Sequence, residues 1–126
     1  MANILIVEDD ESVRTFTARA LSADGHAVDT AEDGDIGLAK ITEAGGSHDL
    51  VLSDIRMPAM DGIAMASAAS KAFPGLKILL MTGYAEQRER AAELDGVIVG
   101  VVNKPFTLAD IRERVSRALA ADASGA

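Results

Sequence analysis

LVLSDIRMPAMDG, residues 50–62, is the stretch that decides how this chain folds. Leu50-Val51-Leu52 is a short apolar run with no polar alternation, the pattern of a strand buried on both faces of a parallel sheet. Ser53 and Asp54 follow at once, so a carboxylate falls at the end of that strand. Further on, Ile63, Ala66, Ala69 and Phe73 recur at helical spacing until Pro74-Gly75 breaks the helix.

The same unit of strand, polar end and helix recurs in both directions. Upstream, Ile4-Leu5-Ile6-Val7 runs into Glu8-Asp9-Asp10, and downstream Ile78-Leu79-Leu80-Met81 runs into Thr82. A fifth strand is expected within residues 97–102, ahead of Asn103-Lys104-Pro105, and a weaker one over residues 27–31, where Asp29 marks an edge. Val13, Phe16, Ala20 and Leu21 form a one-sided helix that stops at Gly25, and Ile36, Ala39 and Ile41 form another closed by Gly45-Gly46. Thr107 with Asp110 reads as a capping box opening the helix of Ile111, Val115 and Leu119. Residues 85–94 are strongly charged with a thin apolar stripe, and a marginal, mobile helix is expected there. Five strand-helix units of this kind define an α/β fold, a doubly wound (βα)5 domain over a five-stranded parallel sheet. The domain is expected over residues 1–121, with residues 122–126 a frayed, disordered tail.

Composition narrows the function. The chain has 126 residues, room for one substantial core and no separate output domain. Its net charge of −8 repels phosphate backbones, so no direct nucleic-acid partner is expected. Arg112, Arg114 and Arg117 cluster, but Asp110 and Glu113 dilute them into a solvated helix face. The absence of cysteine excludes disulfides and thiolate metal sites. No apolar run is long enough to span a bilayer and no leader is visible, so a cytoplasmic protein without membrane contact is expected.

Right-handed connections make all five strands parallel, so their C-terminal ends share one rim, where open α/β sheets bind ligands. Glu8, Asp9, Asp10, Asp54, Thr82 and Lys104 all fall on it. Taken singly, an acid there is most often a helix N-cap, Lys104 a surface lysine and Thr82 a strand former. Their conjunction points further. Several carboxylates in one concave site repel each other unless a cation sits among them. Mg²⁺, which needs only one or two protein carboxylates and leaves positions for phosphate oxygens, suits the pattern better than Ca²⁺, whose ligands come from one contiguous loop.

ILIVEDDESVR, LVLSDIRMPAMDG, LLMTG and VNKPF, in that order and spacing, resemble the receiver domains of bacterial response regulators, the CheY-like family, over residues 3–121. The resemblance implies a flavodoxin-like strand order of 2-1-3-4-5 and a signalling phosphoacceptor whose only chemistry is self-phosphorylation from a donor and loss of that phosphoryl group. Asp54 would accept the phosphoryl group. Asp9 and Asp54 would ligate Mg²⁺ directly, with the Arg56 backbone carbonyl beside them and Glu8 acting through water. Thr82 and Lys104 would hold phosphoryl oxygens, and the Lys104–Pro105 bond would be cis. A sensor histidine kinase or histidine phosphotransfer protein would be the donor, and the face of the fourth helix, fifth strand and fifth helix would carry the output. Many receivers place a Tyr or Phe where this chain has Val101. Tyr84 is therefore a substitute reporter or a simple loop cap, and with Arg56 it is expected to restrict water and set phosphate lifetime. MTGYAE and the run after KPF look most like standalone adaptors of the CpdR type in regulated proteolysis. A phosphate shuttle, a phosphorylation-independent pseudo-receiver and a receiver cut from a longer regulator are the alternatives. A toprim-like site would need an Asp-x-Asp pair that Asp54-Ile55-Arg56 lacks, and a flavin-phosphate loop would be repelled by Glu8-Asp9-Asp10.

Overall fold

Ten elements alternate along the chain: β1 (Asn3–Val7), α1 (Glu11–Ala23), β2 (Ala27–Ala31), α2 (Gly34–Glu43), β3 (Leu50–Asp54), α3 (Gly62–Ala72), β4 (Ile78–Thr82), α4 (Ala85–Ala92), β5 (Gly100–Asn103) and α5 (Leu108–Ala120). They are seen in a computed structural model that describes residues 2–83, 85–92, 94 and 96–121, without the side chains of residues 85–88. The strands form one parallel sheet in the order β2-β1-β3-β4-β5. This is the doubly wound arrangement the sequence predicts, with β2 at an edge.

Unpunctuated apolar runs fold this way because each strand must bury both faces. Ile4, Ile6, Leu50, Leu52, Leu79 and Met81 pack under α1 and α5, against Ala20, Leu21, Ile111 and Val115. Leu5, Val7, Val51, Ile78 and Leu80 point the other way, against Ile41, Met65, Ala66, Ala69 and Ala91 of α2, α3 and α4. The alternation of consecutive side chains between the two cores is the two-residue period of a strand. Four helix starts are capped by side chains: Asp10, Asp33 and Asp61 accept from Val13, Ile36 and Ala64 backbone N–H groups, and Thr107 forms the full capping box with Asp110. Acidic caps also suit the positive end of the helix dipole.

One local expectation changes and two gain bounds. The fifth strand, expected within residues 97–102, runs over Gly100–Asn103, and just before it the N–H groups of Val97 and Ile98 bond back to the Leu94 carbonyl. Phe16, expected in the α1 core stripe, is 39% exposed, since Thr17, Ala20 and Leu21 take the buried face. The α4 helix ends at Ala92. The tail at residues 122–126 lies outside the described residues, as does Tyr84.

The loop after β3 is held by close backbone approach. Gly62 donates its N–H to the Ile55 carbonyl at 2.8 Å. A Cβ at Gly62 would stand 2.1 Å from the Asp54 carbonyl oxygen, and one at Gly34 would stand 2.1 Å from that of Met60. Neither obstacle is a flexible side chain, so the backbone itself would have to move. Gly62→Ala is expected to destabilise the fold by about 3 kcal/mol or more, at the upper end of overpacking costs. Urea unfolding measures it, and a wild-type midpoint for the variant would disprove the close approach.

Candidate functional site

Asp54 ends β3 with its side chain nearly buried, and each carboxylate oxygen has a partner. The Ile55 N–H donates to Oδ1 at 2.9 Å, and Lys104 Nζ lies 3.2 Å from Oδ2. The same ammonium donates to Glu8 Oε1 at 2.6 Å. Glu8 is 0% exposed, and its other oxygen accepts from the Asp10 N–H at 3.2 Å. One lysine thus bridges carboxylates that come from the ends of two adjacent strands.

Lys104 is aimed by the backbone before it. Its N–H donates to the Thr82 carbonyl at 2.8 Å, which extends the β4–β5 ladder past Asn103, and the Lys104–Pro105 peptide is cis. Asp9 completes the acidic group: Glu8, Asp9 and Asp54 each offer an oxygen within 4.8 Å of the others. Three hard oxygen donors at that spacing fit a small divalent cation such as Mg²⁺.

These residues line a cleft of about 830 Å³, with Asp10, Arg56 and Gly83 on its polar side and Val13, Phe16, Pro105 and Phe106 on its apolar side. The Phe16 and Phe106 rings sit 6.3 Å apart, centroid to centroid, at the α1 end of the cleft. Asp10, grouped with its neighbours in sequence, instead spends its carboxylate on the N-cap of α1. Thr82 is 1% exposed at the end of β4 and is not among the residues lining the cleft, although Gly83 beside it is. The apolar half was not read as part of a site in sequence, because Val13 and Phe16 carry an ordinary helical spacing. The exposed phenylalanine is a signal only the packing supplies. A second cleft at the opposite end of the sheet is lined by Ala2, His26, His48, Asp49, Gly75, Lys77 and Leu119. Its charged groups are committed to structure: Asp49 accepts from the Asn3 N–H and Lys77 donates to the Leu119 carbonyl.

Charge is poorly tolerated at Glu8. Burial pushes its carboxyl up from 4.5 to about 7, the negative charge of Asp54 adds to the rise, and the hydrogen bond from Lys104 opposes it. For Lys104, burial pulls downward, but the bond to Glu8 and the charges of Asp54 and Glu8 outweigh it and hold the ammonium above its ordinary value. Burial and the contact between the two groups thus set both shifts, upward for the carboxyl and upward for the ammonium.

The family model of the response regulator receiver domain matches residues 4–116. The chain is 35% identical over 118 residues to the sensor kinase CckA of Brucella abortus, covering 94% of this chain but 12% of the kinase. It is also 35% identical over 121 residues to the response regulator receiver protein CpdR of Brucella abortus, covering 96% of this chain and 99% of that one. Among solved structures, the response regulator TrrA of Thermotoga maritima, in complex with Mg²⁺-BeF, superposes with a TM-score of 0.84 at 31% identity over 94% of this chain and 99% of that one. The chain belongs to the response regulator receiver family of two-component systems, with the CheY-like fold. The chain spans a small fraction of the kinase it matches and nearly all of CpdR.

Because the folded Glu8 carboxyl titrates above its unfolded value, its contribution to stability is full below pH 4.5 and is lost as pH rises through about 7. In metal-free buffer that loss is on the order of 3 kcal/mol. Glu8→Gln is expected to remove it. Urea unfolding at pH 5 and pH 7.5 in chelator compares the two proteins, whose histidines are shared. Equal pH slopes would show that the burial of Glu8 is not what costs stability.

Proposed function

We propose that this chain is a single receiver domain, residues 1–121, that takes a phosphoryl group onto Asp54 and passes the signal on through protein contacts. The observation that carries this reading is the bridging of Glu8 and Asp54 by Lys104 beside Asp9 in one cleft. Asp9, Asp54 and the Arg56 backbone carbonyl would hold Mg²⁺ directly and Glu8 through water. Bound there, the ion would supply charge neutralisation for the phosphoryl oxygens.

Asp54 Oδ2 attacks phosphorus, the bond from phosphorus to the donor's histidine nitrogen breaks, and that nitrogen regains its electron pair and is reprotonated. Lys104 exchanges its contact with the Asp54 carboxylate for one with a phosphoryl oxygen, as a compact charge on a flexible stem. The adduct places about −1.5 to −2 charges and three acceptor oxygens at the end of β3. Thr82 Oγ1 turns to donate to one of those oxygens, which moves β4 and α4 and so carries the change to the face of α4, β5 and α5. Val101 pairs with Leu80 in β5 and packs into the core, so an aliphatic side chain occupies the place where many receivers carry an aromatic one.

The donor is a sensor histidine kinase or a histidine phosphotransfer protein, and the apolar wall of Val13, Phe16 and Phe106 beside Asp54 gives its helices a surface to meet. The likeness to CpdR over nearly the whole of both chains favours a standalone adaptor as the output. The protein works in the cytoplasm without direct contact with nucleic acid or membrane. The charge of −8 supports the first absence, and no described helix is long and apolar enough to cross a bilayer. Arg56, exposed at the cleft, limits water access to the adduct, and Arg56→Ala is expected to shorten the phosphate lifetime, read as the rate at which the intact-mass adduct decays.

Incubation with acetyl phosphate, followed by intact mass, tests the reading. Wild type is expected to gain one phosphoryl group only when Mg²⁺ is present, and Asp54→Asn none. A wild-type chain that stays unmodified while a control receiver is modified would leave a phosphorylation-independent binding module.

A further inference from the structure

Arg14, on α1, turns its charged end back to the loop that carries Glu8 and Asp9. Its Nη1 donates to the Glu8 backbone carbonyl at 2.9 Å, in a half-buried position. That carbonyl belongs to the peptide plane joining Glu8 to Asp9, so the bond sets the orientation of both acids at once. The rest of the turn is pinned around it. The Glu8 N–H donates to Ala31, the Arg14 N–H donates to the Asp10 carbonyl, and Asp10 Oδ1 caps the Val13 N–H.

Arg14 does not line the cleft and forms no salt bridge among the described residues. Its role in binding is therefore exerted through the backbone it holds. A guanidinium suits this task because its rigid fork keeps the donor direction fixed, whereas a lysine would offer a flexible point charge.

We propose that Arg14 is a positioning residue for the cation site, fixing the Glu8–Asp9 peptide so that both carboxylates converge with Asp54. The proposal rests on the Mg²⁺ reading above and extends it to a residue outside the cleft. Two physical accounts of Arg14 predict opposite signs. As a nearby positive charge it opposes a cation, so removing it would tighten Mg²⁺ binding. As the group that orients two ligands, removing it weakens binding, by about 10- to 100-fold where outer partners of metal ligands have been removed.

Calorimetric titration of the full chain with MgCl₂ separates them. Arg14→Met is expected to weaken Mg²⁺ by about 10-fold or more, and Arg14→Lys, which keeps the charge and one donor, to fall between the two. The rate of phosphorylation by acetyl phosphate should recover toward wild type at saturating Mg²⁺, a dependence that general loss of structure would not produce. Unchanged or tighter Mg²⁺ binding by Arg14→Met overturns the proposal. If Arg14→Met does not fold, wild-type affinity in a folded Arg14→Lys overturns it instead. Wild type that binds no Mg²⁺ in the same titration overturns the site reading as well, and so is distinguishable from failure of Arg14 alone.

Discussion

The contact of Lys104 with Glu8 at 2.6 Å and with Asp54 at 3.2 Å is the interaction around which the molecule is arranged. Two acids with almost no solvent access cannot remain ionised side by side without a positive partner. Lys104 supplies one charge where three carboxylates converge, and Glu8 resists ionising because it is buried and, secondarily, because Asp54 is charged beside it. A site left short of positive charge in this way has a standing preference for a small hard cation.

The sheet order is what makes the contact possible. Because β1 lies between β2 and β3, the acids after β1 stand beside the end of β3, in register one strand apart. Lys104 starts two strands from Asp54, a separation of roughly 10 Å at the usual strand spacing, and a lysine stem can cross it. Glycines at the starts of α2 and α3 let the loop after β3 pack against its own backbone, which keeps the end of that strand from drifting. Residues far apart in sequence therefore meet on one rim, while the two cores below it hold the strands rigid.

Much of this was legible in the residues. The three unpunctuated runs at Ile4, Leu50 and Ile78, the stops at Gly25 and Gly45-Gly46, and the capping box at Thr107 all declare themselves through local chemistry, and each has its counterpart in the structure. The start of β5 stays open in the sequence, because Val97, Ile98 and Val99 all look like strand residues and only the bonds of two of their N–H groups to the Leu94 carbonyl set the strand at Gly100. Phe16 misled for a related reason. Helical spacing shows which side chains share a face, but at the margin of that face only the neighbouring elements decide which are covered.

The sequence by itself determined the alternation of elements, the residue types at each strand end and the need for a cation among them, because those follow from short-range periodicity and from like charges brought to one rim. Tertiary structure alone decided which acid is buried, that the Asp10 carboxylate caps α1 at the edge of the cleft, that Thr82 is almost fully covered, and that Arg14 reaches the Glu8 carbonyl. Those outcomes turn on side-chain directions set by packing between elements distant in the chain, and on competition among donors for the same few acceptors. No pattern along a single segment records either.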